Sequence, residues 1–182
     1  MNKIAIALSA ALSLGAAASA SAQTATLDFT GEIVAGTCAV DVGSGGTINL
    51  LPVTPAALAS DGAAGSQRVK LSLKAGTGTG DACDKNTAIL TAAKAGLTAN
   101  GNVDNTHTAT ADAPKSNVVV QILNVDDSNK VVNLQTESIQ TAITGAPRAG
   151  EINLEARYVV EGGAAATGGL YTGRLVFNVA NR

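Results

Sequence analysis

Large aromatic side chains are scarce in this sequence of 182 residues, which has no tryptophan, two tyrosines, two phenylalanines and one histidine. So few rings do not suggest a surface on which sugars or nucleic-acid bases would stack. The hydrophobic core must therefore be built from valine, isoleucine, leucine and alanine.

Blocks of like charge are also missing. The chain has 12 Lys and Arg residues against 14 Asp and Glu residues, a formal net charge of −2. Nucleic acids and anionic membrane surfaces select proteins with concentrated positive charge. No nucleic-acid partner is therefore expected.

The motifs of common enzymes and metal sites are absent from the sequence. There is no GxSxG or HExxH, and His107 stands alone in a polar stretch typical of a solvated loop. The glycine-rich segment Gly76–Gly80 lacks the Lys-Ser/Thr that completes a phosphate-binding loop, and Asp126-Asp127 lacks the ligand spacing of an EF-hand. We predict that the chain is not an enzyme and that it has no catalytic residues, no metal site and no cofactor.

The first 22 residues have the features of a secretory signal. Lys3 precedes the short apolar run Ile4–Leu14, and Ala20-Ser21-Ala22 supplies an A-x-A cleavage site. A membrane anchor is the rival interpretation, but the run is shorter than the ~20 residues that a spanning helix needs. We expect a soluble, exported chain that starts at Gln23. Its 160 residues, with 11 basic and 14 acidic side chains, are enough for one domain.

Cysteine usage agrees with export. Cys38 and Cys83 are the only two cysteines, an even number in a chain with a secretory signal. This favours an intramolecular disulfide, because exported proteins fold in an oxidising compartment. A metal pair is the alternative, but it has no CxxC and no nearby histidine to support it.

Short apolar segments with turn residues between them indicate β-structure throughout. Period-two alternation is clearest in Arg68–Leu73 and Ile152–Val160, and little helical periodicity is present. The pattern predicts a single all-β sandwich. Further strands are predicted at Ala39–Val42, Thr47–Leu51, Ala88–Ala92, Val118–Val125, Val131–Leu134, Ile139–Thr144 and Leu175–Val179, with a loop or one helical turn at Pro52–Ala64, a polar loop at Leu97–Lys115 and a turn at Asp126–Asn129.

The mature N-terminus has an unexpected strand pattern. Apolar residues or glycine recur at every second position, at Ala25, Leu27, Phe29, Gly31 and Ile33. Such alternation is typical of a strand with one buried face, yet chain termini are usually frayed. The last predicted strand, Leu175–Val179, would leave an apolar sheet edge that invites another strand. The pattern alone leaves open whether the first segment enters the core of its own chain or that of another molecule.

At this point the sequence resembles a known family, the major subunits of type 1-like fimbriae assembled by the chaperone–usher pathway. The resemblance covers essentially the whole mature chain, and it departs from the family pattern at Asn181, where an aromatic residue is common. It is carried by Leu27–Ile33, Gly36-Thr37-Cys38, Asn117–Leu123, Leu154–Val160, Gly169 and Leu175–Val179.

The resemblance implies an incomplete immunoglobulin-like β-sandwich that lacks its last strand. It implies a signal peptide at 1–22, an N-terminal donor-strand extension at 23–34 and a pilin domain at 35–182. A periplasmic chaperone would first lend a strand to a groove, and at the outer-membrane usher the extension of the next subunit would replace it. The donor residues would be Ala25, Leu27, Phe29, Gly31 and Ile33, and the groove strand would include Gly169, Leu175, Phe177 and Val179.

The function implied by the resemblance is that of a structural shaft subunit, exported through the periplasm to the cell surface, that forms a homopolymer and supports adhesion. A minor or adaptor pilin is an alternative within the same class. A secreted, self-sufficient β-sandwich that binds a carbohydrate or another small ligand is the alternative from a different class.

Overall fold

The computed structural model describes residues 25–32, by their backbone alone, and residues 38–75 and 83–182. These ranges form two five-stranded sheets around a shared core, with one short helix. The elements are β1 (Ala25–Glu32), β2 (Ala39–Asp41), β3 (Thr47–Leu50), α1 (Pro55–Ser60), β4 (Gln67–Lys74), β5 (Thr87–Ala92), β6 (Val119–Asn124), β7 (Lys130–Val131), β8 (Ser138–Ala142), β9 (Ala149–Val159) and β10 (Thr172–Asn181).

The core follows from the alternation in the sequence. In β4 the side chains of Val69, Leu71 and Leu73 are buried while Arg68 and Lys70 are exposed. Facing residues of β9 and β10, among them Leu154 and Leu175, are also almost fully buried. Each fully buried aliphatic side chain contributes about 1.5–3 kcal/mol relative to exposure. The prediction of an all-β sandwich is therefore confirmed.

The order of the strands is that of an immunoglobulin-like domain. One sheet runs β2-β4-β9-β6-β7, and the other runs β3-β1-β10-β5-β8. The first matches the A-B-E-D order of that fold, and β5 and β10 take the C and F positions of the second. The position beside β10, which the last strand fills in an immunoglobulin domain, is occupied here by β1.

The position beside β10 was expected to be open, but within the single chain it is filled. β1 pairs in parallel with β10 and antiparallel with β3, so the strand from the N-terminus lies in its own sheet. A strand placed there satisfies the backbone groups of both neighbours. Completion by a strand from another subunit stays a prediction.

The predicted bounds of the strands differ from the structure by one to three residues at one or both ends, and two of these differences have a clear reason. The strand predicted at Val131–Leu134 is shorter, because the chain turns at Asn133, whose Oδ1 accepts a hydrogen bond from the backbone N–H of Gln135 at 3.0 Å. The last strand is longer than predicted and runs to Asn181. Its ends are polar, so apolar alternation alone did not mark them.

The predicted loop or helical turn at Pro52–Ala64 contains α1. Thr54 caps this helix by accepting a hydrogen bond from the backbone N–H of Ala57 at 3.1 Å, and Pro55 occupies its first turn. A hydroxyl cap followed by proline is a typical helix start. The turn predicted at Asp126–Asn129 is also present, between β6 and β7.

The disulfide between Cys38 and Cys83 is confirmed, and both residues are fully buried. It lies at one end of the sandwich, where β4 and β10 end and β9 begins. We call this the disulfide end. The opposite end, with α1, the start of β10 and the close of β9, is called the α1 end.

Some predictions lie outside the described residues. These are the signal at 1–22, Ile33 of the proposed donor segment and the glycine-rich Gly76–Gly80. Among residues 25–32, 38–75 and 83–182, no helix has the length and apolar character that crossing a membrane requires. The same ranges contain no cluster of three or more His, Cys, Asp or Glu side chains suited to a metal ion.

Candidate functional site

The candidate site is the strand position between β3 and β10, called the groove from here on. Its present occupant, β1, pairs along its length with β10: Leu27 lies opposite Gly173, Phe29 opposite Leu175 and Gly31 opposite Phe177. Cα partners in a sheet share a face. The three alternating positions of β1 therefore lie on the face of β10 that carries its buried residues.

The groove strand is strongly apolar on that face. Leu175 is 0% exposed, Phe177 6% and Val179 5%, while the intervening Arg174 and Asn178 are exposed. Across the groove, Leu50 of β3 is also buried. Three of the four predicted groove residues, Leu175, Phe177 and Val179, thus lie together on one strand.

Gly169, the fourth predicted groove residue, lies before β10 rather than on it. A Cβ at this position would overlap the backbone of Lys115 and Ser116, at 2.6 Å from the Lys115 carbonyl carbon. Leu170 forms a parallel bridge with Lys115 beside it. Glycine is needed here because two backbone segments approach too closely for any side chain.

Asn105 fixes the start of the groove strand, and no sequence pattern points to it. The side chain is buried, its Nδ2 donates to the carbonyls of Ser116 and Leu170 at 2.8 and 2.9 Å, and its Oδ1 accepts from the N–H of Thr172 at 3.1 Å. Asn105 belongs to a stretch interpreted as a polar, solvated loop. Only its long-range contacts distinguish it from its exposed neighbours.

Tyr171 closes the α1 end beneath the groove. Its hydroxyl donates to the carbonyl of Val103 at 3.2 Å, and its ring meets Tyr158 edge-on with centroids 5.9 Å apart. Burial raises the pKa of the Tyr171 hydroxyl, and it raises that of Tyr158 to about 12. A Cβ on Gly173 would overlap the Tyr171 hydroxyl, so the strand residue opposite Leu27 must be small.

The contacts of Glu161 and His107 indicate structural roles for both side chains. Burial tends to raise the pKa of the Glu161 carboxyl, but hydrogen bonds from Thr98, Asn102 and Asn100 lower it overall. The carboxylate thereby ties the loop after β5 to the end of β9. The His107 Nε2 lies 3.1 Å from the carbonyl oxygen of Ala113 within its own loop.

At the disulfide end, hydrogen bonds from the Asn181 side chain hold the last residues of β10 in place. Its Oδ1 accepts from the N–H of Lys85 at 2.8 Å, and its Nδ2 donates to the carbonyls of Thr87 and Lys85 at 3.0 and 3.3 Å. These bonds join the end of the groove strand to the segment that follows Cys83. The residue that departs from the family pattern thus makes three side-chain hydrogen bonds to two residues of its own chain.

Replacing Asn181 by alanine is expected to lower the free energy of unfolding by about 1–3 kcal/mol, since three hydrogen bonds are lost at a partly exposed site. Urea unfolding followed by circular dichroism measures this. The matched control is Asn178→Ala, on an exposed position of the same strand, which should change stability by less than about 0.5 kcal/mol. Equal effects of the two substitutions would contradict the role given to Asn181.

Taken together, the site binds an extended strand through backbone hydrogen bonds on both sides and through an apolar floor. Binding by strand addition derives affinity from the backbone and specificity from alternate side chains. The fold and the groove therefore define an all-β structural domain that accommodates one extended segment.

The chain belongs to the fimbrial protein family, whose model matches residues 27–180. It is a pilus subunit, exported through the periplasm and exposed on the cell surface. Membership in a structural family supports a structural rather than an enzymatic role.

Solved structures similar to the chain include two fimbrial proteins. One is the CupB6 tip adhesin from Pseudomonas aeruginosa, at 10% identity and a TM-score of 0.39, matched over 85% of this chain and 40% of that one. The other is an antigen and type I fimbria protein of Burkholderia pseudomallei, at 21% identity and a TM-score of 0.36, matched over 81% and 91%. This chain therefore spans less than half of the adhesin's length. No protein of curated function matches the sequence.

Proposed function

We propose that the chain is a structural shaft subunit that polymerises by donor-strand exchange. In the polymer, the segment from Gln23 to Ile33 of one subunit takes the place beside β10 of its neighbour. The single observation that carries this is the pairing of β1 with both β3 and β10 across an apolar floor. It supports the groove as a site for this particular segment.

One copy of the chain carries both a strand to give and a groove to receive one. Each subunit can then be linked to two others, which is the requirement for a linear homopolymer. A subunit that only terminated a fibre would need one of the two features alone. The pair of features therefore favours a shaft role over a purely terminal one.

The direction of the donated strand decides what kind of assembly forms. In the single chain, β1 is parallel to β10 and its Glu32 end lies at the disulfide end, near Cys38. A neighbour's segment inserted in that same direction would bring two disulfide ends together, and reciprocal exchange would give a closed dimer. Insertion antiparallel to β10 instead places the donor's disulfide end at the acceptor's α1 end. Only this arrangement leaves a free groove and a free strand at the two ends, so the fibre can grow.

A periplasmic chaperone fits the same scheme. Until a neighbour arrives, Leu175, Phe177 and Val179 need a covering strand, because a long apolar edge is prone to aggregation. A strand lent by a chaperone would supply that cover, and the usher would direct its exchange for the next subunit's segment.

Non-reducing electrophoresis of fimbriae sheared from cells tests the proposal. Without heating, strand-exchanged subunits are expected to give a ladder of SDS-resistant multimers that collapses to monomer on boiling. The contacts are non-covalent but extensive, so their dissociation requires the subunits to unfold. Monomer alone in unheated, surface-sheared material would overturn the proposal.

A second candidate function is a self-sufficient secreted sandwich that binds a small ligand. It is favoured by the position of β1, which completes the chain's own sheet. This candidate predicts a stable monomer that folds without a chaperone and shows saturable ligand binding. The same electrophoresis distinguishes the two functions, since a self-complete monomer gives no ladder.

A further inference from the structure

We infer that an apolar groove at the α1 end is the surface on which the disulfide end of the adjacent subunit docks. We call it the α1-end groove, to separate it from the strand groove beside β10. The inference rests on the proposed strand exchange. It adds a second contact surface, outside the strand groove, and identifies its occupant as a second copy of this chain.

The α1-end groove lies between the helix, the end of β9 and the loop that follows. It measures about 380 Å³ and is open to solvent. Its apolar lining comes from Pro55, Leu58, Ala59, Val160, Ala164 and Ala166.

The neighbouring surface is apolar as well. Leu51, at the end of β3, has 55% of its surface exposed, the larger of the two exposed values among the big hydrophobic residues that the structure describes. It leads into Pro52 and α1, and its N–H pairs with Gly65 at this same end. Leu51 therefore adds exposed apolar surface at the end that carries the α1-end groove.

The short connection between the donor strand and its own domain indicates which molecule covers this surface. Glu32 and Cys38 are separated by five residues, so their Cα atoms are at most about 20 Å apart even when that segment is fully extended. Any molecule that receives the strand must therefore lie within about 20 Å of the donor's disulfide end.

The direction of insertion selects the α1 end of the acceptor. When the donated strand is antiparallel to β10, its Glu32 side emerges near Thr172, where β10 begins, and beside Leu50, where β3 ends. Both residues lie at the α1 end. The short connection then holds the donor's disulfide end within reach of α1 and of the loop after β9.

The polymer therefore has two contacts per junction: the inserted strand and the end-to-end surface. The second contact would orient consecutive subunits, which a strand joined by a connection of five residues does not do alone. Exposed residues available at the donor's disulfide end include Asp41, Asp84, Lys85 and Ala146.

Site-specific photo-cross-linking in assembled fimbriae tests this inference. A benzoylphenylalanine residue is introduced at Ala59, which is exposed in the α1-end groove, and at Ser138 as a control, which is exposed on the edge strand β8 away from both ends. After irradiation, cross-linked peptides are identified by mass spectrometry. Ala59 is expected to cross-link within residues 38–46, 83–87 or 144–149 of another subunit, at a yield at least about fivefold above that of Ser138 to those ranges.

The outcomes separate the inference from the proposed function. An SDS-resistant ladder without these cross-links, or with cross-links from Ala59 to another surface, would overturn the docking surface and leave strand exchange standing. Cross-links from Ala59 to the region before Ala25 would assign the α1-end groove to the chain's own N-terminus and also overturn the inference. If neither variant forms a ladder while the parent does, Ala59→Arg and Ser138→Arg replace them. Loss of the ladder in Ala59→Arg alone then supports the docking surface. Equal behaviour of Ala59→Arg and Ser138→Arg contradicts it.

Discussion

Phe29→Asp is expected to abolish polymerisation, with the SDS-resistant ladder reduced at least about tenfold. In the single chain, position 29 lies opposite Leu175, which is fully buried in the floor of the strand groove. In a strand inserted antiparallel, the alternating face that carries position 29 would meet this same floor. A carboxylate placed on this face would lose its water without gaining a partner, at a cost of several kcal/mol. Each 1.4 kcal/mol lowers an equilibrium constant about tenfold. The measurement is unheated electrophoresis of surface material beside immunoblots of the periplasmic subunit.

Thr30→Asp is the matched control, because it adds the same charge one residue further along the same strand. In the single chain its partner is Val176, on the opposite face of the sheet and only half-buried. This variant should polymerise to within about twofold of the parent, and the Cys38–Cys83 disulfide should form in both. A normal ladder from Phe29→Asp would contradict the placement of this face in a neighbour's groove.

Deletion of residues 23–33 distinguishes a donated strand from a strand that the domain needs for itself. If the segment serves a neighbour, the shortened chain should still accumulate with its chaperone and accept a strand, but it should donate none. Failure to fold even with the chaperone present would place the segment in the chain's own core. The deletion therefore separates the two uses of β1 that strand pairing alone permits.

The sandwich could be predicted because its strands have a local signature. Val69, Leu71 and Leu73 alternate with polar or charged residues, and so do the buried residues of β9. The floor of the strand groove was found in the same way, since Leu175, Phe177 and Val179 are spaced by two. Burial on one face of a strand leaves this pattern in the sequence itself.

The supports of the strand groove could not be predicted, since they depend on contacts between distant segments. Asn105 is separated by 65 residues from Leu170, whose carbonyl it binds. Asn181 joins a strand end to a segment more than 90 residues earlier. A buried asparagine in a polar stretch has no periodicity that distinguishes it from its solvated neighbours. The pairing of β1 is undetermined for a related reason: an alternating pattern specifies a buried face, but not the molecule that buries it.

Loss of the disulfide is expected to have the largest effect on the stability of the isolated domain. Replacing both Cys38 and Cys83 by alanine should lower the free energy of unfolding by about 4 kcal/mol, because the bond closes a loop of 45 residues. If the free energy of unfolding falls by about 2 kcal/mol per molar urea, the urea concentration at the midpoint of unfolding should fall by about 2 M. In the chain-entropy model, the disulfide stabilises the domain mainly by restricting the conformations of the unfolded chain.

The same variant probes the junction between subunits. Cys38 follows the last residue of β1, Glu32, by six positions, so the disulfide anchors the domain close to the point from which the strand is donated. Reducing the parent with dithiothreitol in urea should reproduce the shift, and the double alanine variant should not respond to the reductant. A shift below about 1 kcal/mol in both experiments would contradict the role of the bond in holding this end together. Normal yields of polymer from a strongly destabilised variant would show instead that strand insertion compensates for the missing bond, because a partner that binds only the folded subunit stabilises it.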